Sequence, residues 1–525
     1  MISLLTSALR RHRWLAWAPL AVFAVLPAWA EVLQLHQQPD STPQGVELRT
    51  DDEQLYMTLD EAVEIALRRN LALIAQRYDR AQTRELIRQE LGIYDLTLAG
   101  TAVLNDETSP SASELDGADV REDSLQDYTF RISQLTVFGG TATLQLNGGR
   151  FESNDSFREI NPEYSTDARF ILNQPLLRNF GRLATERSLL VARTNSAISL
   201  EEFEQQVIST VQQVENAYWN LVQARKQLQV SQESLDLARE LHERNRIRVD
   251  VGTLAPFELV QSEAGIARRE GDIIRDRAAV GDAADELLRL LNVDGGTSWD
   301  LEVVPETDPA GTEVEDVDLA KAIDVALENR SELQRGQLIV DRLQLDSDYF
   351  QRQKLPRLDL EVRYNTSGIG TSYSSANDST TAFDFTGWQA VVEFGIPLQN
   401  RTARAQSAVA DLALEQGRVQ LSQTEQEVIT DVRSAVRQLE AAARQVDAAR
   451  ASSRAQEKSL EAERKRFENG MSTSFQVLQI QEDLSAAQSA EVQAVTNYRT
   501  RLADYYRAIG QLLATHDIEI DDVEE

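Results

Sequence analysis

The sequence predicts a mixed α and β membrane protein built from two internal repeats. Each repeat joins a long antiparallel coiled-coil hairpin of helices to strands of membrane-spanning length. Three observations carry this reading. Heptad seams run much farther than a globular helix needs. Strands of bilayer length alternate apolar and polar residues. The same blocks also recur in the same order in the two halves of the chain.

Composition sets the outer limits. The chain has 525 residues, 42% of them apolar, with 53 basic and 85 acidic side chains and a net charge of -32. That length as a prior allows about three or four ordinary domains. The negative balance argues against nucleic acid as a partner, since a phosphate backbone calls for a basic surface. It also disfavours a helix lying on anionic lipid. No cysteine is present, which excludes disulfides, thiolate zinc sites, iron–sulfur clusters and cysteine nucleophiles.

Residues 1–30 read as a signal peptide. Arg10, Arg11 and Arg13 precede an apolar run from Trp14 to Leu26, and Ala28-Trp29-Ala30 has the small-x-small form of a cleavage site. Pro19 interrupts the run, and the run falls short of the roughly 20 residues of a spanning helix. Cleavage would leave a net charge of -35. No later stretch is apolar enough for a transmembrane helix, so an exported chain of this kind is periplasmic, secreted or an outer membrane β-barrel. Residues 31–57 form an N-terminal extension.

The repeats are assigned to 58–292 and 317–514. Leu59, Ala62, Val63, Ile65, Ala66 and Leu67 match Leu319, Ala322, Ile323, Val325, Ala326 and Leu327 at an offset of 260. Arg248, Gly252, Phe257 and Gln261 match Arg466, Gly470, Phe475 and Gln479 at an offset of 218. The first repeat therefore carries 42 extra residues between the two blocks.

Each repeat opens with a helix, expected over 58–92 and 317–354. The long helices are expected over 182–250 and 401–468, each about 100 Å in length. Val207, Val211, Val214, Tyr218 and Leu221 step by four and three, as do Val428, Val432, Ala435, Leu439 and Ala442, which is the seam of a coiled coil. Gly252 and Gly470 follow these helices, where a left-handed residue ends a helix without a Cβ penalty. Pro256 suits the first turn of one return helix, and Ser472 or Thr473 can cap the other. The return helices are expected over 255–292 and 473–514.

Strands lie within 95–175 and 357–396. Leu358, Leu360, Val362 and Tyr364 alternate with Arg357, Asp359, Glu361 and Arg363. Such strands suit the 9–11 residues of a tilted membrane crossing. Polar loops are expected over 105–126, 151–167 and 366–382. Residues 128–138 and 141–150, joined by Gly139-Gly140, read as an added hairpin. Inside the barrel it would make six strands per chain, and outside it would leave four. The broken alternation at Ser133-Gln134 favours four. Residues 293–316 link the repeats as a linker or a small excursion packed on the outside, and 515–525 form an acidic tail.

No catalytic constellation is visible. The histidines His12, His36, His242 and His516 are scattered, and no phosphate loop, dinucleotide fingerprint or nucleophile elbow is present. No enzyme activity, metal or cofactor is expected.

These features together resemble the TolC-like outer membrane efflux family from about residue 58 to 514. The sharpest points are Leu59-x-x-Ala62-x-x-x-Ala66-Leu67, the two glycine turns, and the strand-to-helix corners Gln174-Pro175-Leu176 and Ile396-Pro397-Leu398. The resemblance implies a homotrimer in the outer membrane of a Gram-negative cell. Its strands would close one shared transmembrane β-barrel in outer membrane lipid, and its helices a periplasmic α-barrel. It further implies a passive exit duct for a tripartite efflux pump or type I secretion system. The partners would be a periplasmic membrane-fusion adaptor and an inner-membrane pump of RND or ABC type. The adaptor would dock on Val251-Gly252-Thr253 and Asn469-Gly470-Met471.

At the periplasmic gate the chain departs from the family pattern. Gln476 and Gln479 stand where aspartates form acidic rings, while Glu258 keeps an acid. Phe467 and Ser472 stand where a tyrosine and an arginine make a tie. A weak electrostatic lock with little cation blockage is expected. A trimeric coiled-coil adhesin or stalk is the alternative, but it should lack the duplication and the paired strand blocks. A periplasmic hydrolase with helical decoration would need a nucleophile or metal set.

Overall fold

A computed structural model of the chain describes residues 50–51, 54–111, 117–293, 301–309 and 317–520. The expected signal peptide, most of the N-terminal extension, both ends of the linker and the last five tail residues lie outside the described residues.

Strands β1 (Thr50–Asp51) and β2 (Gln54–Met57) lead into helix α1 (Leu59–Arg69). Thr58 starts α1 with a reciprocal capping box. Its side chain accepts from the Glu61 amide, and its own amide donates to the Glu61 carboxylate at 2.8 Å. The helix expected over 58–92 is in fact two, because α2 (Leu71–Leu91) begins after a break at Asn70. Asn70 has extended backbone, and its side-chain oxygen accepts from the amides of Ala72 and Leu73. Its amide nitrogen donates to the Leu290 carbonyl at 2.8 Å. A local periodicity cannot foresee a break held by a residue 220 positions away.

Four strands follow: β3 (Thr97–Pro110), β4 (Val120–Leu135), β5 (Thr141–Ser153) and β6 (Glu163–Pro175). Short α3 (Arg182–Thr185) precedes the 64-residue α4 (Arg187–Asp250), which returns as α5 (Phe257–Leu291). Strand β7 (Glu302–Pro305) lies within the segment read as a linker and pairs in parallel with β2. Leu55, Met57 and Val303 are buried there.

The second half opens with α6 (Leu319–Asn329) and α7 (Ser331–Arg352), again two helices where one was expected over 317–354. The break falls at Arg330, whose guanidinium donates to the Ala508 carbonyl at 3.1 Å and pairs with Glu332. Strand β8 (Arg357–Gly370), helix α8 (Tyr373–Ala382) and strand β9 (Phe385–Gly395) come next. The 68-residue α9 (Arg401–Glu468) and its return helix α10 (Ser474–Ala508) follow, and a 3-10 turn at Ala514–His516 comes after them.

The six long strands form one antiparallel sheet in the order β3-β4-β5-β6-β8-β9. This corrects the reading of four strands: the 128–150 hairpin is β4–β5, continuous with its neighbours. Ladder hydrogen bonds cross Ser133-Gln134 regardless of side-chain alternation. The polar loops are also shorter than expected. β3 and β4 stay paired out to Pro110↔Val120, and most of 366–382 is strand or the helix α8. Backbone pairing continues where polar side chains on both faces hide the pattern.

The register puts Leu98, Ile132, Leu144, Phe170, Tyr364 and Trp388 in one row across all six strands. The adjacent row, on the opposite face, is Ala99, Arg131, Gln145, Arg169, Asn365 and Gly387. One face is thus apolar and the other polar. On the polar face Arg131, Gln145, Asn147 and Asp167 form a chain of hydrogen bonds at 3.0–3.2 Å.

The helical core follows the heptads. Val428, Val432, Leu439 and Val446 of α9 are buried with Ala322 and Ala326 of α6 and Tyr498 of α10. On α4, Val211, Val214, Tyr218 and Leu221 are 0–1% exposed. No helix among the described residues is long and apolar enough to cross a membrane.

Candidate functional site at the hairpin tips

The two hairpins end in turns of one design. Gly252 has φ +76° and Gly470 φ +75°. Thr253 N donates to the Arg248 carbonyl at 2.8 Å and Gly252 N to that of Val249 at 2.9 Å. At the second tip, Met471 N reaches the Arg466 carbonyl at 2.9 Å and Gly470 N that of Phe467 at 3.1 Å. This paired pattern satisfies the last carbonyls of each long helix. A Cβ on either glycine would meet nothing within 4 Å, so backbone conformation alone demands glycine here.

Thr473 caps α10 by accepting from the Gln476 amide. Pro256 sits before α5 without a side-chain cap. Val251, Thr253, Asn469 and Met471 are exposed around the glycines. So are Ile247, Phe257, Val260 and Phe475. These four apolar side chains were not singled out for docking from the sequence, although Phe257 and Phe475 belong to its repeated block. Large apolar residues close to the two turn glycines are the signal the sequence carries, and their exposure comes from the fold.

The residues expected at the gate do not come together as one cluster. Phe467 is 4% exposed and packs with Leu241, Leu460, Val477 and Leu478. The Arg248 guanidinium lies 4.8 Å from the centre of its ring and donates to its carbonyl at 3.3 Å. Arg244 pairs with Glu468 at 3.1 Å. Ser472 binds Glu463, and its hydroxyl also reaches Gln476 at 3.0 Å. Gln479 donates to Asp483 at 3.3 Å. Glu258 stands apart on α5, with one carboxylate oxygen shielded from solvent and unpaired.

The sequence pattern marked Arg248 only as part of the repeated block and did not point to Arg244. Phe467 takes part in a charge-assisted contact after all, because α4 supplies the cation from the other hairpin. The corners differ from each other. Pro175 ends β6, and Leu176 N donates to the Leu358 carbonyl at 2.7 Å, whereas Pro397 follows the end of β9. Among the described residues no group of His, Asp and Glu has the arrangement of a metal site.

The family profile described as outer membrane efflux protein matches residues 134–293 and 322–511. Those spans hold both helical hairpins and both tips. The chain belongs to the outer membrane efflux protein family. Its fold is also that of several solved channels. The Campylobacter jejuni CmeC outer membrane channel is 14% identical, with a TM-score of 0.62, covering 86% of this chain and 86% of that one. The open state of the Neisseria gonorrhoeae MtrE outer membrane channel is 18% identical, with a TM-score of 0.58 and coverage of 86% and 89%. The outer membrane protein VceC from Vibrio cholerae is 14% identical, with a TM-score of 0.60 and coverage of 86% and 96%. Comparison with curated protein sequences finds no match. This outer membrane efflux protein thus belongs to a family of TolC-like channels, and its place is the outer membrane.

Proposed function

We propose that three copies of this outer membrane efflux protein form one gated exit duct. The observation that carries the reading is the six-stranded sheet, apolar on one face and polar on the other, with β3 and β9 each paired on one side only among the described residues. Such open edges are intolerable in lipid. Three copies of six strands give an eighteen-stranded barrel, wide enough for an aqueous lumen. The apolar face then meets lipid, and the polar belt lines the lumen.

The long hairpins extend the duct into the periplasm as an α-barrel, at about 96–102 Å for helices of 64 and 68 residues. The shared turn geometry at Gly252 and Gly470, and the like breaks at Asn70 and Arg330, support two repeats with one plan. The tips bind a periplasmic membrane-fusion adaptor through the two turns and their exposed apolar neighbours. An inner-membrane pump, of RND or ABC type, supplies the energy, and the duct itself performs no chemistry. Gating occurs at the tips, where α4 and α9 are tied through Arg248, Phe467, Arg244 and Glu468.

The test is single-channel recording in planar bilayers with the oligomer mass measured in parallel. Stable trimers with discrete conductance steps are expected. A soluble monomer that never inserts would overturn the duct and leave the helical stalk as the better account.

A further inference from the structure

Helix α8 lies on the wrong face of the sheet for a lumen plug. It packs across β6 and β8 on the apolar face. Thr366, Gly368 and Gly370 share that face with Leu358, Leu360, Val362 and Tyr364. The seat is built for it. A Cβ on Gly368 would come within 2.1 Å of the Ala376 carbonyl oxygen, and one on Gly370 within 2.1 Å of the Ser375 hydroxyl. The hydroxyls of Thr166 and Thr380 meet at 2.6 Å, and Thr366 donates to the Thr380 carbonyl at 2.9 Å. Ala376 is fully buried, and Tyr373 meets Tyr164 edge to face at 4.7 Å between ring centres.

The outer side of α8 is polar: Ser374, Asn377, Asp378 and Thr381 are exposed. An amide and a carboxylate cannot face hydrocarbon without several kcal/mol of cost. The helix is therefore kept out of the hydrocarbon, at the border where lipid turns polar or beyond it. The register agrees. From Leu358 to Thr366 the apolar face runs about 27 Å along the strand, or about 21 Å vertically at a tilt near 40°. That nearly fills an apolar band about 25 Å tall. Tyr128, Tyr164 and Tyr373 lie at the level of α8, and the stacked Phe138 and Phe180 lie at the opposite, helix-joined end of the sheet. Aromatic residues gather at both borders of a membrane barrel.

We propose that α8 is a platform for the polar headgroups of the outer leaflet, fixed on the lipid side of the barrel, and that it sets how deeply the barrel sits. This rests on the barrel reading given above. The chain lacks cysteine, so single labelling sites are clean. Fluorophores on Asn377→Cys, Leu144→Cys and Gln145→Cys would be read in liposomes with nitroxide on the lipid headgroup, with nitroxide at mid-chain, or with an aqueous quencher. The Asn377 label should be quenched several-fold more by headgroup nitroxide than by mid-chain nitroxide. The Leu144 label should show the reverse, and the Gln145 label should respond to the aqueous quencher alone. Gly368→Leu, which displaces α8, should shift the Asn377 label to the aqueous pattern while the Leu144 label keeps its mid-chain quenching. An Asn377 label reached only from water, or only at mid-chain, beside a normal Leu144 label overturns the platform and spares the barrel. A Leu144 label untouched by either lipid quencher overturns the barrel reading itself.

Discussion

Arg248 and Phe467 join the ends of the two long helices: the guanidinium stacks on the ring and also donates to that residue's own carbonyl. The contact is half-buried, so about 1–2 kcal/mol is a fair magnitude. A tie of that size shifts an equilibrium by roughly 5- to 30-fold. Arg248→Ala should therefore raise the open fraction of the channel in planar bilayers, with Arg248→Lys intermediate. Conductance and open time identical to the parent's would show that the gate is held elsewhere.

The same tips should respond weakly to cations. Gln476 and Gln479 bring amides rather than carboxylates, and both are exposed. Millimolar divalent or trivalent cations should leave the conductance nearly unchanged. The double variant Gln476→Asp with Gln479→Asp should create a block. Strong block of the parent channel would contradict this.

Replacing Gly470 by alanine tests the turn. The left-handed conformation costs an L-residue about 1–2 kcal/mol, and the open space around the Cβ position adds no collision. Gly470→Ala should speed proteolysis at the tip, and Gly470→Asn should do so less. Equal protection in all three proteins would mean that the turn is not strained by a side chain.

His516 binds Glu215 at 2.7 Å and Asp60 at 2.9 Å, anchoring the C-terminal segment to α4 and α1. Burial disfavours the charged ring, but the hydrogen bonds and charges of Glu215 and Asp60 outweigh it and raise its pKa above 6.5. The folded state thus holds this proton more tightly than the unfolded state. Its stabilisation is full below pH 6.5 and is lost as pH rises through the raised value. Thermal melts should show this component in the parent protein and not in His516→Gln.

Glu201 behaves in the same sense for another reason. Burial, and then the charge of Glu204, push its pKa up to about 7 from 4.5. Protonation in the fold stabilises it below pH 4.5, and this gain disappears as pH rises to about 7. Glu201→Gln should raise the melting temperature at about pH 8 and change little at about pH 4. A fall at about pH 8 would show that the ionised carboxylate is well compensated.

Local periodicity made α4 and α9 legible, because a heptad seam is written in neighbouring residues. The glycine turns were legible for a similar reason. The breaks at Asn70 and Arg330 were not, since each is tied to a distant carbonyl, of Leu290 and Ala508. Nor was α8, whose serines and threonines carry no apolar stripe and gain their order from hydroxyl contacts with Thr166 and Thr366. At the tip, Phe467 and Ser472 could be found by spacing from Gly470. Their partners could not, because Arg248 arrives from a helix 219 positions earlier.

By itself the sequence determined the two helical hairpins, the turn glycines, the strand segments and the kinship with outer membrane efflux proteins, all carried by short-range pattern. Tertiary structure alone decided that six strands share one sheet, that 54–57 and 302–305 pair in parallel, and that α8 packs on the apolar face over one end of β6 and β8. Backbone hydrogen bonds between distant segments leave no periodic trace in the residues that make them. Only the folded chain reveals which edges, faces and charges come to lie together.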